Sequence, residues 1–207
     1  MIIANISTSL DGYITGPDDG PGCGLGVGGE RLHYWVFGGP WTYADEHSSS
    51  AMAGEDKAFY EGIVARVGAV VTGRGTYDVT GAWGGTNPWD IPCIVLTHHP
   101  DDQPDVSGFE FAGSFEEAVN RATELAGTRD VSLMGGAEVI RQGLAAGVVD
   151  EFGLSIAPII LGAGKRLFEG FDTDVDLTPV WVRQSPYATH VWHTVNHQDP
   201  PGPARTR

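Results

Sequence analysis

The sequence predicts an α/β domain: a mixed, mostly parallel sheet flanked by helices, with an antiparallel hairpin at the C-terminal end. Apolar strand-like runs alternate with helical spacing through the middle of the chain. Two short helices begin directly after apolar strands, each at a glycine turn. The last two strand-like segments, roughly 176–184 and 189–196, flank Ser185-Pro186 as a hairpin would. The 207 residues fit one domain with a sizeable core, read as 1–196, and no repeat or composition break divides it. Residues 197–207, ending PPGPARTR, carry too little apolar content to pack and read as a disordered tail.

The elements follow in order. IIANIS opens as a strand, with Leu10-Asp11-Gly12-Tyr13 as its end and turn. A Gly/Pro/Asp-rich stretch from Gly16 to Gly29 leads into ERLHYWVFGGPW, a short helix or loop. Ala53 to Val67 has helical spacing, with Ala58, Phe59, Ile63, Val64 and Val67 apolar. Ala69–Thr72 is a buried strand and Arg74–Val79 the first turns of a short helix. Pro92–Thr97 is another apolar strand. Ser114–Ala126 is a helix on which Ser114 and Glu117 form a capping box. Val131–Met134 is a strand running into Gly135-Gly136, and the helix after it extends to about Ala146, where Gly147 ends it. Asp150–Ala157 is a strand, followed by a glycine-containing loop from Pro158 to Phe168.

Composition narrows the function. With 12 Lys+Arg against 27 Asp+Glu and a net charge of −15, the chain lacks material for the basic stripe a nucleic-acid partner requires. A small anionic ligand is still compatible, because a helix N-terminus and one arginine can bind phosphate locally. The 30 glycines are about twice the roughly 14 expected from average usage of about 7%, and read as turns and close backbone approaches. No apolar run approaches a membrane span, and the N-terminus lacks a basic leader region. The expectation is a soluble cytoplasmic protein with no membrane partner, in which a Cys23–Cys93 disulfide is disfavoured.

The glycine junctions are the strongest chemical signal. Thr72-Gly73-Arg74-Gly75-Thr76 and Met134-Gly135-Gly136-Ala137-Glu138 each turn a strand into a helix. The free N–H groups and dipole at such a start favour a negative group, and glycine lets a phosphate approach the backbone. Arg74 adds a permanent positive charge, and the hydroxyls of Thr72 and Thr76 can donate to phosphate oxygens. Gly24-Leu25-Gly26-Val27-Gly28-Gly29 matches GxGxxG in form but follows a loop rather than a strand, so it reads as a mobile loop and a candidate lid. Gly162-Ala163-Gly164-Lys165 is not a P-loop, since the upstream glycine and the following Ser/Thr are missing.

Five stretches in this order carry a resemblance. They are Ser9-Leu10-Asp11-Gly12-Tyr13-Ile14, Thr72-Gly73-Arg74-Gly75-Thr76-Tyr77, Val95-Leu96-Thr97, Gly135-Gly136-Ala137-Glu138, and Val149-Asp150-Glu151 through the Pro158–Phe168 loop. Together they resemble the dihydrofolate-reductase-like family that includes the reductase domain of riboflavin biosynthesis, over residues 1 to about 196.

The resemblance implies a reductase using NADPH, with NADH as an alternative. It implies that Ser9, Leu10, Asp11, Gly12, Tyr13 and Ile14 border the nicotinamide, and that Thr72, Gly73, Arg74, Gly75 and Thr76 hold the pyrophosphate. Gly135, Gly136, Ala137 and Glu138 would contact the pyrophosphate and nicotinamide ribose from the other side, and Leu96, Thr97 and His98 would face the adenosine ribose. It also implies a homodimer and a small heterocyclic substrate, pterin-like or riboflavin-precursor-like. Glu55 and Asp56, near the start of the helix before the Gly-Arg turn, are the candidate proton donors, although acids at a helix start also suit its dipole. Trp83, Leu154, Pro158 and Ile160, with His33, Tyr34 and Trp35 of the insert, are assigned by their order in the chain to the substrate wall, and Tyr60, i+4 from Asp56, joins them, with core packing as the alternative.

No metal is expected, because His190 and His193 point to opposite faces of a strand and nothing completes a set with His197. Two other readings compete with the reductase: a ligand-binding protein without turnover, and a reductase that uses a deazaflavin.

Overall fold

The computed structural model describes residues 1–45, 51–104 and 106–197. Ten strands follow in chain order: β1 (Ile2–Ser9), β2 (Tyr13–Thr15), β3 (Val67–Gly73), β4 (Cys93–Leu96), β5 (Phe109–Ala112), β6 (Asp130–Gly135), β7 (Glu151–Ala157), β8 (Lys165–Arg166), β9 (Asp176–Gln184) and β10 (Thr189–Asn196). The helices are α1 (Tyr34–Phe37), α2 (Gly54–Val64), α3 (Arg74–Val79), α4 (Ala82–Gly85), α5 (Phe115–Ala126) and α6 (Ala137–Ala145), with a 3-10 turn at Gly29–His33.

Eight strands form one sheet in the order β5-β4-β3-β6-β1-β7-β10-β9, while β2 and β8 pair separately. The first six are parallel to one another, and β10 runs antiparallel to both β7 and β9. The expected class is the observed one: a mixed, mostly parallel sheet flanked by helices, closed by a C-terminal antiparallel hairpin. The chain starts in mid-sheet at β1, steps outward through β3, β4 and β5, and returns with β6 to fill the space between β3 and β1. That return places the glycine junctions after β3 and β6 side by side, 62 residues apart from Gly73 to Gly135 but on adjacent parallel strands. A ligand crevice forms where strand order reverses in this way.

Each sheet face has its own core. Ala4, Val71, Ile94 and Leu133 pack under α5 and α6, which contribute Ala118, Ala122, Val139 and Ile140. Ile3, Val70, Val95 and Trp192 pack on the other face beneath Trp35, Phe59 and Tyr77. Strand β3 is buried through Thr72, which explains its unbroken VGAVVT run. The Ser114 hydroxyl accepts from Glu117 N at 3.2 Å, and the Glu117 carboxylate accepts from Gly113 N at 2.9 Å. Gly147, at φ 65, donates to Leu144 O and closes α6.

Several local expectations change. Tyr13–Thr15 and Lys165–Arg166, read as the end of a turn and part of a loop, pair as the short strands β2 and β8. The helix expected over 53–67 stops at Val64, because Val67 is 3% exposed and already belongs to β3. Phe109–Ala112 is a strand the sequence reading passed over, since four residues between Gly108 and Gly113 are too few to show a period. The Gly24–Gly29 loop is pinned rather than free. Gly16 N donates to Leu25 O at 2.7 Å, Val27 N to Pro17 O at 2.8 Å, and Leu25 N to the Tyr43 hydroxyl at 2.9 Å. A Cβ on Gly16 would lie 2.1 Å from Val27 O, so glycine there permits backbone to pack on backbone. The tail expected over 197–207 lies, apart from His197, outside the described residues. Among those residues no helix is long and apolar enough to cross a membrane, and both cysteines are free.

Candidate active site

The two glycine junctions touch. A Cβ on Gly73 would stand 3.3 Å from Val139 Cγ2 and 3.7 Å from Gly136 N, and one on Gly136 would stand 3.3 Å from Thr76 Oγ1. These glycines therefore serve close packing between α3 and α6 as well as access to the backbone. A Cβ on Gly75 meets nothing within 4 Å, which leaves the space beside the turn open. Neither α3 nor α6 has a side-chain cap, whereas α5 has Ser114. Their first-turn N–H groups are thus available to a ligand. The Gly135–Gly136 peptide is cis.

Arg74 is aimed rather than loose. Its Nε donates to Asp78 Oδ1 and its Nη1 to Gln103 Oε1, both at 2.7 Å, while Gln103 Nε2 donates to His99 O at 2.7 Å. The guanidinium is thus tied to the end of β4 with Nη2 outside these bonds. Thr72 has another task than expected: its hydroxyl donates to Gly135 O at 2.9 Å, binding the junctions together instead of facing a phosphate.

These residues open on a cleft of about 1780 Å³. A single drug-sized ligand typically takes about 300–1,000 Å³, so this cleft has room for two molecules. One half is formed by the junctions, with Gly73, Arg74, Gly75, Thr76, Gly135, Gly136, Ala137 and Glu138 on the wall and Leu96, Thr97, His98 and His99 beyond them. The other half is built on Asn5, Ser7 and Ile14, with His33, Trp35, Phe37, Trp41 and Tyr43 around them; Tyr60, Trp83 and Trp89 also line the cleft. Burial pushes the His33 imidazole down from 6.5 to about 4, so it is neutral at pH 7. In a chain with only 12 Lys+Arg, four of them, Arg74, Arg141, Lys165 and Arg166, face this cleft.

Several expected site residues lie elsewhere. Ser9, Leu10, Asp11, Gly12 and Tyr13 do not line the cleft; they build the turn below it. The Ser9 hydroxyl donates to Asp11 Oδ1 at 2.6 Å, and the Asp11 carboxylate accepts from Leu161 N and Gly162 N. The Ser9 bond, with these N–H bonds assisting, draws the Asp11 carboxyl down to about 2. Leu10 is 68% exposed, and the Tyr13 ring lies under the Arg166 guanidinium, 4.5 Å from its centroid. Leu154, Pro158 and Ile160 also fall outside the lining, Ile160 being 69% exposed. Of the residues assigned to the substrate wall, His33, Trp35, Tyr60 and Trp83 reach the cleft, and Tyr34 is not among its lining.

Both candidate acids miss the cleft. Glu55 is on the outer surface, 3.9 Å from Arg183. Asp56 is 4% exposed and points into the core, where its Oδ1 meets His190 Nε2 at 2.8 Å. His190 is fully buried and its Nδ1 meets Ser155 Oγ at 2.8 Å. Burial lowers the pKa of His190, with Asp56 opposing that shift. The three histidines considered as ligands are not brought together: His193 Nδ1 faces Phe152 O at 3.3 Å and His197 lies 3.7 Å from Asp150.

Sequence reasoning missed Asn5, Ser7 and the Asp56–His190 pair. Asn5 and Ser7 did leave a signal: they are polar positions in register with buried Ile3 on one face of a central strand, where apolar residues are the rule. The Asp56–His190 pair left none, since 134 residues separate its members.

A strand-order reversal, two glycine-started helices and a two-part cleft define a dihydrofolate-reductase-like α/β protein. The chain belongs to the RibD C-terminal domain family, whose model matches residues 1–191. Two Bacillus subtilis (strain 168) proteins are similar in sequence. The uncharacterized protein YwjB is 26% identical over 125 residues, 60% of this chain and 71% of its own length. The uncharacterized protein YyaP is 42% identical over 67 residues, 32% of this chain and 35% of its own. Among solved structures, a Shewanella sp. PV-4 protein assigned to riboflavin biosynthesis superposes with a TM-score of 0.67 at 20% identity, covering 94% of this chain and 98% of that one. A pyrimidine reductase-like protein of Corynebacterium diphtheriae gives 0.62 at 16% identity, with coverage of 95% and 92%. Dihydrofolate reductase of Enterococcus faecalis, complexed with NADP(H), gives 0.55 at 18% identity, with coverage of 96% and 97%. At these identities the superpositions show the shared fold.

Proposed function

We propose that the protein is a pyridine-nucleotide-dependent reductase that binds NADPH, with NADH as the alternative, across the C-terminal ends of β3, β4 and β6. One observation carries the reading. Two uncapped, glycine-started helices lie side by side with Arg74 and Thr76 at the wall of a cleft that has room for a second molecule. The donor set suits a pyrophosphate: backbone N–H groups, one oriented guanidinium and the Thr76 hydroxyl.

When bound, the reduced nicotinamide would supply a hydride to a C=N or C=O carbon of the second ligand, a small pterin-like or riboflavin-precursor-like heterocycle, becoming oxidised, while the ligand's nitrogen or oxygen would take its proton from solvent. The protein's part is to hold the two ligands in register and to exclude water. Trp35, Phe37, Trp41 and Tyr43 offer ring faces for stacking, while Asn5, Ser7 and neutral His33 offer hydrogen bonds to the ring's polar edge. Glu55 and Asp56 have no direct part in proton delivery, because neither side chain reaches the cleft.

The test is a titration with NADPH, NADH and a deazaflavin cofactor, read by energy transfer from tryptophan and by thermal unfolding. NADPH is expected to bind at micromolar concentration. At a hundredfold excess over Kd it should add about 2.7 kcal/mol of stability, or very roughly 5–10 °C in Tm for a chain of this size. If neither nicotinamide cofactor binds below millimolar, the reading fails; tight deazaflavin binding in their place would move it to that cofactor.

A further inference from the structure

His190, buried in the core, sits directly behind the ring-lined half of the cleft. His190 on β10 is held at both nitrogens, by Asp56 of α2 and Ser155 of β7, each at 2.8 Å. Two bonds on opposite sides of an imidazole fix both its position and its rotation. The ring face stacks on Phe59, with centroids 4.2 Å apart and planes 18° apart. Trp35, which lines the cleft, meets the His190 ring edge-on at 5.1 Å and 80°. The Trp35 indole N–H then donates to Ser7 Oγ at 3.0 Å, and Ser7 is itself a cleft residue. Ser7 and Ser155 are register partners on the paired strands β1 and β7. The chain Ser155–His190–Trp35–Ser7 therefore closes on itself, anchored at both ends to one rung of the sheet.

A purely structural requirement at this spot would be met by an apolar side chain of similar volume, at no desolvation cost. A polar ring held at two points instead selects one orientation for its neighbours. We propose that His190, set by Asp56 and Ser155, is a positioning residue for the second-ligand half of the cleft: it fixes the plane of Trp35 and, through the indole, the Ser7 hydroxyl. This rests on the reading of that half as the substrate site, and it assigns to Asp56 a role different from proton donation. The other charged groups that act on the imidazole are Glu55 on α2 and Arg183 on β9, both on the outer surface and neither hydrogen-bonded to it.

The experiment uses the full chain labelled with 5-fluorotryptophan, whose six tryptophans are resolved by fluorine NMR and assigned by single Trp→Phe variants. In His190→Gln the Trp35 signal is expected to shift by more than its linewidth or to split, while Trp83 and Trp89, which pack on each other, stay in place. Asp56→Asn, which keeps the shape of the pair and removes its charge, should move Trp35 in the same direction by less. NADPH titrated into the same samples separates the two ideas. If wild type does not bind it, the reductase reading fails while the Trp35 signal still reports on positioning. If wild type binds it, both variants should bind within about twofold of wild type, as distant sites do. An unmoved Trp35 signal in His190→Gln would overturn the proposal. So would collapse of all six signals in both variants, which would make the network a requirement for folding alone.

Discussion

In the half of the cleft formed by Gly73–Thr76 and Gly135–Glu138, much of what faces a ligand is backbone, supplemented by Arg74 and Thr76. In the half formed by Asn5, Ser7, His33 and Trp35, what faces a ligand is side chain, held from behind by a buried polar network. The first half is set by topology: the return of β6 between β3 and β1 brings two glycine turns together whatever the side chains nearby. The second half is set by packing among segments far apart in the sequence. A backbone-built half suits a ligand of fixed chemistry, and a side-chain-built half can be retuned by substitution without disturbing its neighbour.

The largest separation between the halves should come from Gly135→Val. Gly135 has φ +124, a conformation closed to a β-branched residue, and forcing it costs about 1–3 kcal/mol or displaces the turn. Nicotinamide nucleotide affinity should fall by up to about a hundredfold, measured by titration, while the near-ultraviolet circular dichroism of the Trp35 cluster persists. Asp56→Ala should do the reverse. It leaves the buried His190 without one partner, at a cost of about 1–3 kcal/mol, or roughly 2–4 °C in Tm for each kcal/mol. Nucleotide affinity should be unaffected.

Acid should loosen the side-chain half first. His33 and His190 are both held neutral by burial, with pKa values lowered from 6.5 and His33 at about 4. The unfolded chain takes up protons at these sites below about 6.5 while the folded chain does not. Their contribution to stability is therefore fully present above 6.5 and is lost as pH falls from there toward 4. Thermal unfolding from pH 7.5 to 4 checks this, and His33→Phe should flatten part of the slope. The smallest effect is expected for Thr72→Val: one buried hydrogen bond, worth about 1 kcal/mol of stability, with nucleotide affinity changed less than about threefold. Thr76→Val, which removes a hydroxyl on the cleft wall, should weaken nucleotide binding more than it destabilises the fold.

The same contrast explains what was legible in the sequence. The strands of the main sheet other than β5, the C-terminal hairpin, the Ser114 cap and both glycine junctions are local patterns, and each appears within a few residues of chain. Leu10 and Asp11 misled because a turn at a strand end looks alike whether its residues face a ligand or, as with the Asp11 carboxylate, tie down the 161–162 loop. Asp56 misled because an acid at the start of a helix advertises only its helix. Its partner His190 lies two-thirds of the chain away, and no period or motif connects them. Asn5 and Ser7 could have been found from polarity on a buried strand face. His33 could be placed at the substrate wall from chain order, but not its neutral state, which depends on what covers it.

The most direct measurement compares NADPH binding to wild type, Arg74→Ala and His190→Gln by isothermal titration at one ionic strength. Removing an oriented guanidinium that makes charge-assisted bonds to phosphate costs about 1.5–3 kcal/mol, so Arg74→Ala should bind at least about tenfold more weakly while His190→Gln matches wild type. Equal affinity in wild type and Arg74→Ala would contradict the assignment of the glycine–arginine turn as the phosphate-binding half of the cleft.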